Sequence, residues 1–321
     1  MIRFFERLFA PKAQSHEAQP AQKRERLAER FAALKAQGRK ALIPYISAGD
    51  PDPAQTAAVL HALVAGGADV LELGIPFSDP AADGETIQQA NERALARGVT
   101  FAQTLAIVRE FRAIDHDTPL ILMGYLNSFE RAGFARAMTD IAAAGGDAVI
   151  LVDCPVEALA DYDADLKASG ITPIMLVAPT TTADRRQHIL AHAGGFLYFV
   201  SLRGVTGTQE AQADAIAADI RTLKNETDVP VCIGFGIRDG ETARQMAELA
   251  DGVVIGSALV ARLHAAFDAK QPLGDTAADR APLRPRTNRR SHPRHPRRPP
   301  RSRARTHPAP ARPRKRAAQL D

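Results

Sequence analysis

The feature that most constrains the fold is a regular alternation, between Lys40 and Lys270, of short apolar segments with longer amphipathic ones. Short apolar runs bounded by glycine, proline or polar residues predict buried strands, and apolar residues three or four positions apart predict helices. The predicted strands are Ala41–Ser47, Val70–Gly74, Leu120–Met123, Ala148–Val152, Ile174–Ala178, Leu197–Ser201, Val231–Gly234 and Gly252–Gly256. The predicted helices include Arg26–Gln37, Ala54–Ala65, Glu85–Arg97, Ala102–Phe111, Phe129–Ala144 and Glu241–Leu249. Eight strand–helix units in about 230 residues predict one (β/α)₈ barrel, the TIM barrel, preceded by an N-terminal helix.

The alternative is a doubly wound open sheet, which carries a Gly-x-Gly-x-x-Gly turn after its first strand when it binds a dinucleotide. The first predicted strand is followed instead by Ser47-Ala-Gly-Asp-Pro51, which does not match that turn. In a barrel, functional side chains lie at the carboxyl ends of the strands and in the loops that follow them. We therefore confine the search for a site to those places.

The net charge of +4 averages two unlike regions. From Pro282 to Asp321 there are thirteen arginines and one lysine against one acid, so residues 1–281 carry −9. The arginine- and proline-rich residues 271–321 predict a disordered basic tail, because they hold few large apolar side chains. Such a tail is typical of a nucleic-acid tether or of GC-rich DNA translated out of frame. Without interleaved aromatic residues for base stacking, we expect no nucleic-acid partner.

The remaining boundaries and the compartment follow from simpler signals. Residues 1–25 predict a poorly ordered extension, and 26–270 predict the barrel domain. No apolar run is long enough to cross a membrane, and the start of the chain lacks the apolar run of a secretory signal. The two cysteines, Cys154 and Cys232, fit neither a disulfide framework nor a metal-binding spacing. We expect a cytoplasmic protein without a membrane or metal partner.

Glycine-rich turns end three successive strands near the C-terminal part of the barrel. They are Gly204-Val-Thr-Gly207, Gly234-Phe-Gly-Ile237 and Ile255-Gly-Ser-Ala258, and the last passes directly into a helix. Glycines allow the backbone to approach a ligand, and the amino end of a helix attracts anions. Although a single glycine needs no more explanation than a tight turn, three such turns at adjacent strand ends predict a phosphate site.

Carboxylates cluster at the end of the second strand. Alternation along Val70–Gly74 directs Glu72 into the barrel, where loss of solvation raises the pKa of a carboxyl group and suits it to general acid catalysis. The alternative is a structural glutamate held by neighbouring hydroxyl groups. The long loop that follows contains Asp79 and Asp83, either of which could instead cap the helix beginning near Glu85.

Four segments closely resemble the tryptophan synthase alpha subunit family. They are Leu42-Ile-Pro-Tyr-Ile-Ser-Ala-Gly-Asp-Pro51, Glu72-Leu-Gly-Ile-Pro-Phe-Ser-Asp-Pro80 with Ala82-Asp-Gly84, Gly204-Val-Thr-Gly207, and Gly234-Phe-Gly-Ile237. The resemblance runs in order from about Arg26 to Ala269. It implies a (β/α)₈ lyase that cleaves indole-3-glycerol phosphate to indole and glyceraldehyde 3-phosphate in tryptophan biosynthesis.

The resemblance also implies roles for individual residues. Glu72 matches the catalytic acid and base, and Asp83 matches the aspartate that binds the indole N–H. The residues that match the substrate pocket are Tyr45, Ile87, Met123, Tyr125, Tyr198, Thr206 and Phe235. The glycine-rich turns assign the phosphate to Gly207, Gly234, Gly236, Gly256 and Ser257. The resemblance further implies no cofactor in this chain and a beta subunit partner, which binds pyridoxal phosphate and receives the indole within an alpha₂beta₂ tetramer.

The chain departs from the family pattern at two sites. Glu85 stands where the family usually has proline, and Phe196 stands where many members have tyrosine, so the efficiency of the reaction is in question. Other functions remain open from the sequence. They are a stand-alone lyase that releases free indole, a related phosphate-binding barrel such as indole-3-glycerol-phosphate synthase, and a non-catalytic barrel that regulates a beta subunit.

Overall fold

The computed structural model describes residues 25–200, 209–234 and 240–278. Nine parallel strands form one sheet in the order β5-β4-β3-β2-β1-β9-β8-β7-β6. They are β1 (Ala41–Ser47), β2 (Leu71–Gly74), β3 (Leu120–Gly124), β4 (Ala148–Leu151), β5 (Thr172–Pro173), β6 (Met175–Val177), β7 (Leu197–Val200), β8 (Val231–Gly234) and β9 (Gly252–Ile255). The short β6 lies within the predicted fifth strand, and β5 lies just before it, outside the predicted bounds. Since β5 pairs with β4 and β6 pairs with β7, the sheet forms a nearly closed barrel, and the predicted fold is confirmed.

Helices follow the strands in the order expected for this fold. They are α1 (Arg26–Ala36), α2 (Thr56–Ala65), α3 (Glu85–Ala96), α4 (Phe101–Arg112), α5 (Leu126–Glu130), α6 (Phe134–Ala144), α7 (Val156–Leu159), α8 (Asp163–Ser169), α9 (Ala183–His192), α10 (Gln209–Glu226), α11 (Gly240–Leu249), α12 (Ser257–Asp268) and α13 (Leu273–Ala278). A 3₁₀ turn at Pro53–Gln55 precedes α2. The two predicted helical segments between the second and third strands are present as α3 and α4.

Two apolar layers stabilise the barrel, one on each face of the sheet. Alternation sends Leu71 and Leu73 outward into the layer beneath the helices and sends Val70 inward. The apolar face of α1 packs against the inward-facing side chains with Leu27, Phe31 and Leu34. The barrel interior is therefore a packed core that α1 covers at the end where the strands begin.

An ion-pair network attaches α1 to that end of the barrel. The carboxylate of Asp147, just before β4, accepts from Arg26 Nε at 2.7 Å and from an Arg112 guanidinium nitrogen at 2.9 Å. Its Oδ2 atom also accepts from the backbone N–H of Leu120 at 2.8 Å. Because the Asp147 side chain is only 5% exposed, pairing and hydrogen bonding offset the desolvation of its charge.

Three segments differ from the sequence prediction. The fifth strand begins at Thr172 and is interrupted at Ile174, next to Pro173, which has no N–H group for the ladder. The helix predicted over Phe129–Ala144 is two helices, α5 and α6, separated near Gly133. The φ of Gly133 is +84°, in the left-handed region that favours glycine, so a continuous helix does not form there.

The third difference concerns the C-terminal boundary of the barrel. Residues 271–278 were predicted to belong to the tail, but α13 lies within them and packs against α2. Leu273 is 2% exposed and Ala277 is fully buried. The barrel domain therefore extends at least to Ala278. The rest of the predicted tail and the predicted extension before Glu25 lie outside the described residues. Within the described part of the chain, no helix is both long and apolar enough to cross a membrane.

Candidate active site

Glu72 lies inside the barrel near the carboxyl end of β2. Its side chain is buried, at 1% exposure, and the register places it beside Tyr45 of β1. Its Oε2 atom has no hydrogen-bond partner among the residues that the structure describes. Burial raises the pKa of Glu72 from about 4.5 to about 8, and the nearby charge of Asp83 adds to this rise. Because one oxygen of this buried carboxyl group is unpaired within the described part of the chain, Glu72 does not match the alternative of a structural glutamate held by neighbouring hydroxyl groups.

Asp83 lies at the end of the loop between β2 and α3. Its Oδ2 atom accepts a hydrogen bond from Asn91 Nδ2 at 3.3 Å, and its side chain also interacts with the hydroxyl group of Tyr125. Burial raises the pKa of Asp83 to about 6, while Tyr125 and Asn91 oppose that rise. Neither acidic residue of the loop caps α3, because Gly84 is the N-cap and Asp79 hydrogen-bonds Ser78 at 2.6 Å.

These two carboxyl groups have different charge states near pH 7. With a pKa of about 8, Glu72 is mostly protonated, whereas Asp83, with a pKa of about 6, is mostly ionised. Two carboxyl groups whose surroundings separate their pKa values can act as an acid and as an electrostatic partner in one reaction. The site is therefore suited to deliver a proton from Glu72 while Asp83 stabilises positive charge.

Apolar and aromatic side chains line the barrel mouth around the carboxyl groups. Tyr45 and Ile87 are buried in one cluster with Met123 packed against it. Tyr125 is buried, and its ring stacks on Phe77 with centroids 4.8 Å apart. These four predicted pocket residues are thus brought together, and they provide a surface suited to a flat apolar ring.

Two glycines make room for tyrosine hydroxyl groups in the barrel. A Cβ atom on Gly74 would lie 2.1 Å from the Tyr45 hydroxyl oxygen, which hydrogen-bonds the Ser47 hydroxyl at 3.1 Å. A Cβ atom on Gly234 would lie 2.1 Å from the Tyr198 hydroxyl oxygen in the same way. Gly234 therefore serves tyrosine packing, in addition to its predicted place at the phosphate.

The predicted phosphate residues that the structure describes lie at the ends of neighbouring strands. β8 ends at Gly234 and pairs with β9, which is followed by Gly256 and by Ser257, the first residue of α12. No side chain caps the amino end of α12, and Ser257 is exposed. Such an end can receive an anion. The predicted residues Thr206, Gly207, Phe235 and Gly236 lie outside the described residues.

Three neighbours of the site were missed by the sequence reasoning: Asn91, Phe77 and Ser47. Asn91 had a detectable signal, because it is a polar residue four positions after Ile87 on the apolar face of α3. Ser47 had one as well, because it lies two residues after Tyr45 on β1 and therefore on the same face of the sheet. Phe77 lies within a matched motif, but nothing in its spacing indicates contact with Tyr125. That contact depends on how the loop after β2 folds.

The two departures from the family pattern have limited consequences here. Glu85 is exposed at the first position of α3 and accepts a hydrogen bond from Gln89 at 3.2 Å. It is not among the groups that shift the pKa of Asp83. Phe196 is fully buried and packs against Phe31 of α1, so it belongs to the covered end of the barrel core.

A cavity of about 510 Å³ lies elsewhere at the carboxyl edge, between β4 and β6. The last hydrogen bond there between β4 and the fifth strand runs from Ile174 N to Val149 O, so the strands separate beyond it. Neither Glu72 nor Asp83 lines this cavity. Size alone does not make it the reaction site, since the shifted carboxyl groups lie at the mouth of the barrel.

Comparisons with known proteins point to one family. The family model for the tryptophan synthase alpha chain matches residues 31–282. The chain is 53% identical over 241 residues to the tryptophan synthase alpha chain of Laribacter hongkongensis, covering 75% of this chain and 91% of that protein. It is 54% identical over 244 residues to that of Burkholderia mallei, covering 75% of this chain and 89% of that protein.

Solved structures give the same result. The tryptophan synthase subunit alpha of Legionella pneumophila superposes with a TM-score of 0.76 at 41% identity, covering 80% of this chain and 96% of that one. A chain of tryptophan synthase from M. tuberculosis in its aminoacrylate-bound form superposes with a TM-score of 0.71 at 33% identity, covering 80% of this chain and 98% of that one.

Proposed function

Because this chain belongs to the tryptophan synthase alpha chain family, we propose that Glu72 and Asp83 perform the lyase reaction of that family in it. The protein is a carbon–carbon lyase of tryptophan biosynthesis, which cleaves indole-3-glycerol phosphate to indole and glyceraldehyde 3-phosphate. The observation that supports these roles is the pairing of a buried, protonated Glu72 with an ionised Asp83 at the barrel mouth.

Glu72 moves the protons of this retro-aldol cleavage. Its carboxyl group donates a proton to C3 of the indole ring, which gives an indolenine that can accept the electrons of the breaking bond. The resulting carboxylate then takes the proton of the glycerol C3′ hydroxyl group as the bond between C3 and C3′ breaks. The ring regains its aromaticity as indole leaves, the aldehyde forms at C3′, and Glu72 is again protonated.

Asp83 stabilises the charge that develops on the indole nitrogen. Protonation of C3 makes the ring N–H more acidic and positive, and an adjacent carboxylate favours that state. The Asp83 carboxylate is held by Asn91 and Tyr125, so it needs little rearrangement when the charge appears. Its fixed negative charge also keeps the proton on Glu72 before the reaction.

The pocket residues form two groups, one for the indole ring of the substrate and one for its phosphate. Tyr45, Ile87, Met123 and Tyr125 enclose the indole ring, with Tyr198 beside it. Gly234, Gly256 and Ser257 bind the phosphate, together with the predicted Gly207 and Gly236. Thr206 and Phe235 complete the predicted pocket. We propose that this chain uses no cofactor of its own and that pyridoxal phosphate is bound only by the beta subunit.

An alpha chain of tryptophan synthase implies a beta subunit partner. We propose that the partner docks on the loops after β2 and β7, receives the indole and assembles with this chain into an alpha₂beta₂ tetramer in the cytoplasm. Asp79 is exposed in the first of these loops and can contribute to docking. Pro76, in the same loop, is buried in this conformation.

The experiment is a measurement of indole release from indole-3-glycerol phosphate by the purified chain, with and without a cognate beta subunit. The proposal expects release by the chain alone and a faster rate with saturating beta subunit, because closure of the loops links the two sites. No release in either condition would contradict the lyase assignment. An unchanged rate with the beta subunit would contradict only the coupling, and a stand-alone lyase would remain.

A further inference from the structure

Helix α3 presents one polar side chain on its buried face. The residues of that face are Ile87, Ala90, Asn91 and Ala94, and the Asn91 side chain lies among them at 1% exposure. Ile87 and Asn91 are one helical turn apart, so both project toward the loop that carries Asp83. An amide in an otherwise apolar face is unfavourable unless it makes hydrogen bonds, so the hydrogen-bond partners of Asn91 determine whether it is stable there.

Among the residues that the structure describes, Asn91 makes one side-chain hydrogen bond, to the Asp83 carboxylate. Its Nδ2 atom donates to Asp83 Oδ2 at 3.3 Å, and its Oδ1 atom is buried with no partner within the described ranges. A leucine has the same branched shape and would leave no unpaired acceptor. Packing alone therefore does not account for an asparagine at this position.

The same helix also holds the backbone of Asp83. Gln88 Nε2, from the residue three positions before Asn91, donates to the Asp83 carbonyl oxygen at 2.8 Å. The helix itself is anchored to the loop after β1 by a two-pronged ion pair, in which Arg93 Nε and Nη2 contact the Asp50 carboxylate at 2.7 and 2.9 Å. Because the Asp50 side chain is 2% exposed, this pair restricts movement of α3 relative to the barrel.

We infer that Asn91 is a positioning residue of the lyase, which holds Oδ2 of Asp83 so that the carboxylate stays ionised and its other oxygen faces the indole N–H. The inference rests on the proposed function for the role of Asp83, but the hydrogen bond to the carboxylate exists whatever the reaction. Asn91 acts through Asp83 and does not itself need to touch the substrate.

The electrostatics of the pair support this inference. Burial raises the pKa of Asp83, and the hydrogen bonds from Tyr125 and Asn91 lower it to about 6. Without the Asn91 donor, the pKa of Asp83 should rise toward that of Glu72, which is about 8. The two carboxyl groups would then compete for one proton near pH 7. Glu72 would no longer be the only protonated group, and Asp83 would no longer be reliably ionised.

The test compares the wild type with Asn91→Leu and with Asn91→Ala, which removes the same donor if the leucine variant does not fold. Gln89→Ala is the matched control, because Gln89 is on the same helix but exposed and bonded to Glu85. The first measurement is an NMR titration of the Asp83 carboxyl carbon in protein labelled at aspartate. We expect the Asp83 pKa to rise by about one unit in both Asn91 variants and to stay unchanged in the control.

The second measurement is the pH dependence of indole release by the same variants. We expect kcat/KM below about pH 6 to fall about tenfold and the acid limb to move up in pH by the same interval as the titration, with little change in KM. A lower melting temperature with an unchanged titration and an unchanged acid limb would show that Asn91 serves packing alone and would overturn the inference. If the wild type releases no indole, the proposed function fails, while the titration still decides the role of Asn91.

Discussion

The electrostatic coupling between Glu72 and Asp83 predicts a specific change in pH dependence when one charge is removed. In the wild type, Asp83 must be ionised and Glu72 protonated, so kcat/KM should fall below about pH 6 and above about pH 8. The substitution Asp83→Asn keeps the shape of the side chain but removes its charge. It should abolish the acid limb and lower the alkaline limb, because the ionised Asp83 raises the pKa of Glu72.

The structure bounds the size of that shift. The pKa of Glu72 rises from about 4.5 to about 8, and burial is the larger of the two causes. The charge of Asp83 therefore accounts for less than half of the rise, at most about 1.7 pH units. We expect the alkaline limb of Asp83→Asn between about pH 6 and pH 8, with the maximal rate lowered about a hundred- to thousandfold by loss of one electrostatic partner.

The assay is the initial rate of indole release at substrate concentrations well below KM, which reports kcat/KM, from pH 5 to pH 10 without beta subunit. Asp79→Asn is the control, since it removes an exposed carboxylate from the same loop and should leave both limbs in place. An alkaline limb at the same pH in Asp83→Asn and in the wild type would refute the proposed coupling. A profile of Asp79→Asn that loses its acid limb would show that the two loop aspartates have been assigned the wrong roles.

Three further predictions concern stability. Folded Glu72 keeps its proton up to about pH 8 but releases it near pH 4.5 when unfolded, so wild-type stability falls as pH rises between these values, by at most about 1.4 kcal/mol per unit. Glu72→Gln has no carboxyl group to lose a proton, so its melting temperature should exceed that of the wild type at pH 9 but not at pH 4. A melting temperature below that of the wild type at pH 9 would contradict the raised pKa of Glu72. Gly74→Ala should lower the free energy of unfolding in denaturant by about 1–3 kcal/mol, because its Cβ would meet the buried Tyr45 hydroxyl at 2.1 Å, whereas Gly84→Ala, with open space around it, should not. Truncation after Lys270 should lower the free energy of unfolding by about 2–4 kcal/mol, because it removes Leu273 from its contact with α2. Truncation after Ala278 should leave the melting temperature unchanged. Equal effects of the two truncations would show that α13 does not stabilise the barrel.

The strand pattern was sufficient to place Glu72 inside the barrel, because a two-residue period has only two outcomes and the other one buries its carboxyl group in the apolar layer beneath the helices. The ends of the strands were also predictable, since each apolar run stops at glycine, proline or a polar residue. The interruption of the fifth strand was harder to anticipate. It depends on the pairing of Pro173 with Val149 of β4, which is distant in sequence.

Contacts made by loops and helix faces were less accessible to sequence reasoning. The extent of the barrel was underestimated because α13 is only six residues long, and its burial against α2 depends on packing rather than on periodicity. The hydrogen bond between Asn91 and Asp83 joins a helix to a loop whose path is not encoded in any local pattern. The choice between Asp79 and Asp83 likewise needed the fold of that loop, which exposes the first and turns the second toward Tyr125.

The most direct test of the central claim is the rate of a single turnover of indole-3-glycerol phosphate by Glu72→Gln at pH 7, compared with the wild type. The substitution preserves the shape of the side chain and removes both the proton donor and the base that it becomes. The account predicts a loss on the order of a thousandfold or more, with the affinity for a non-cleavable indole phosphate unchanged. A Glu72→Gln protein that cleaves its substrate within tenfold of the wild-type rate would contradict the account.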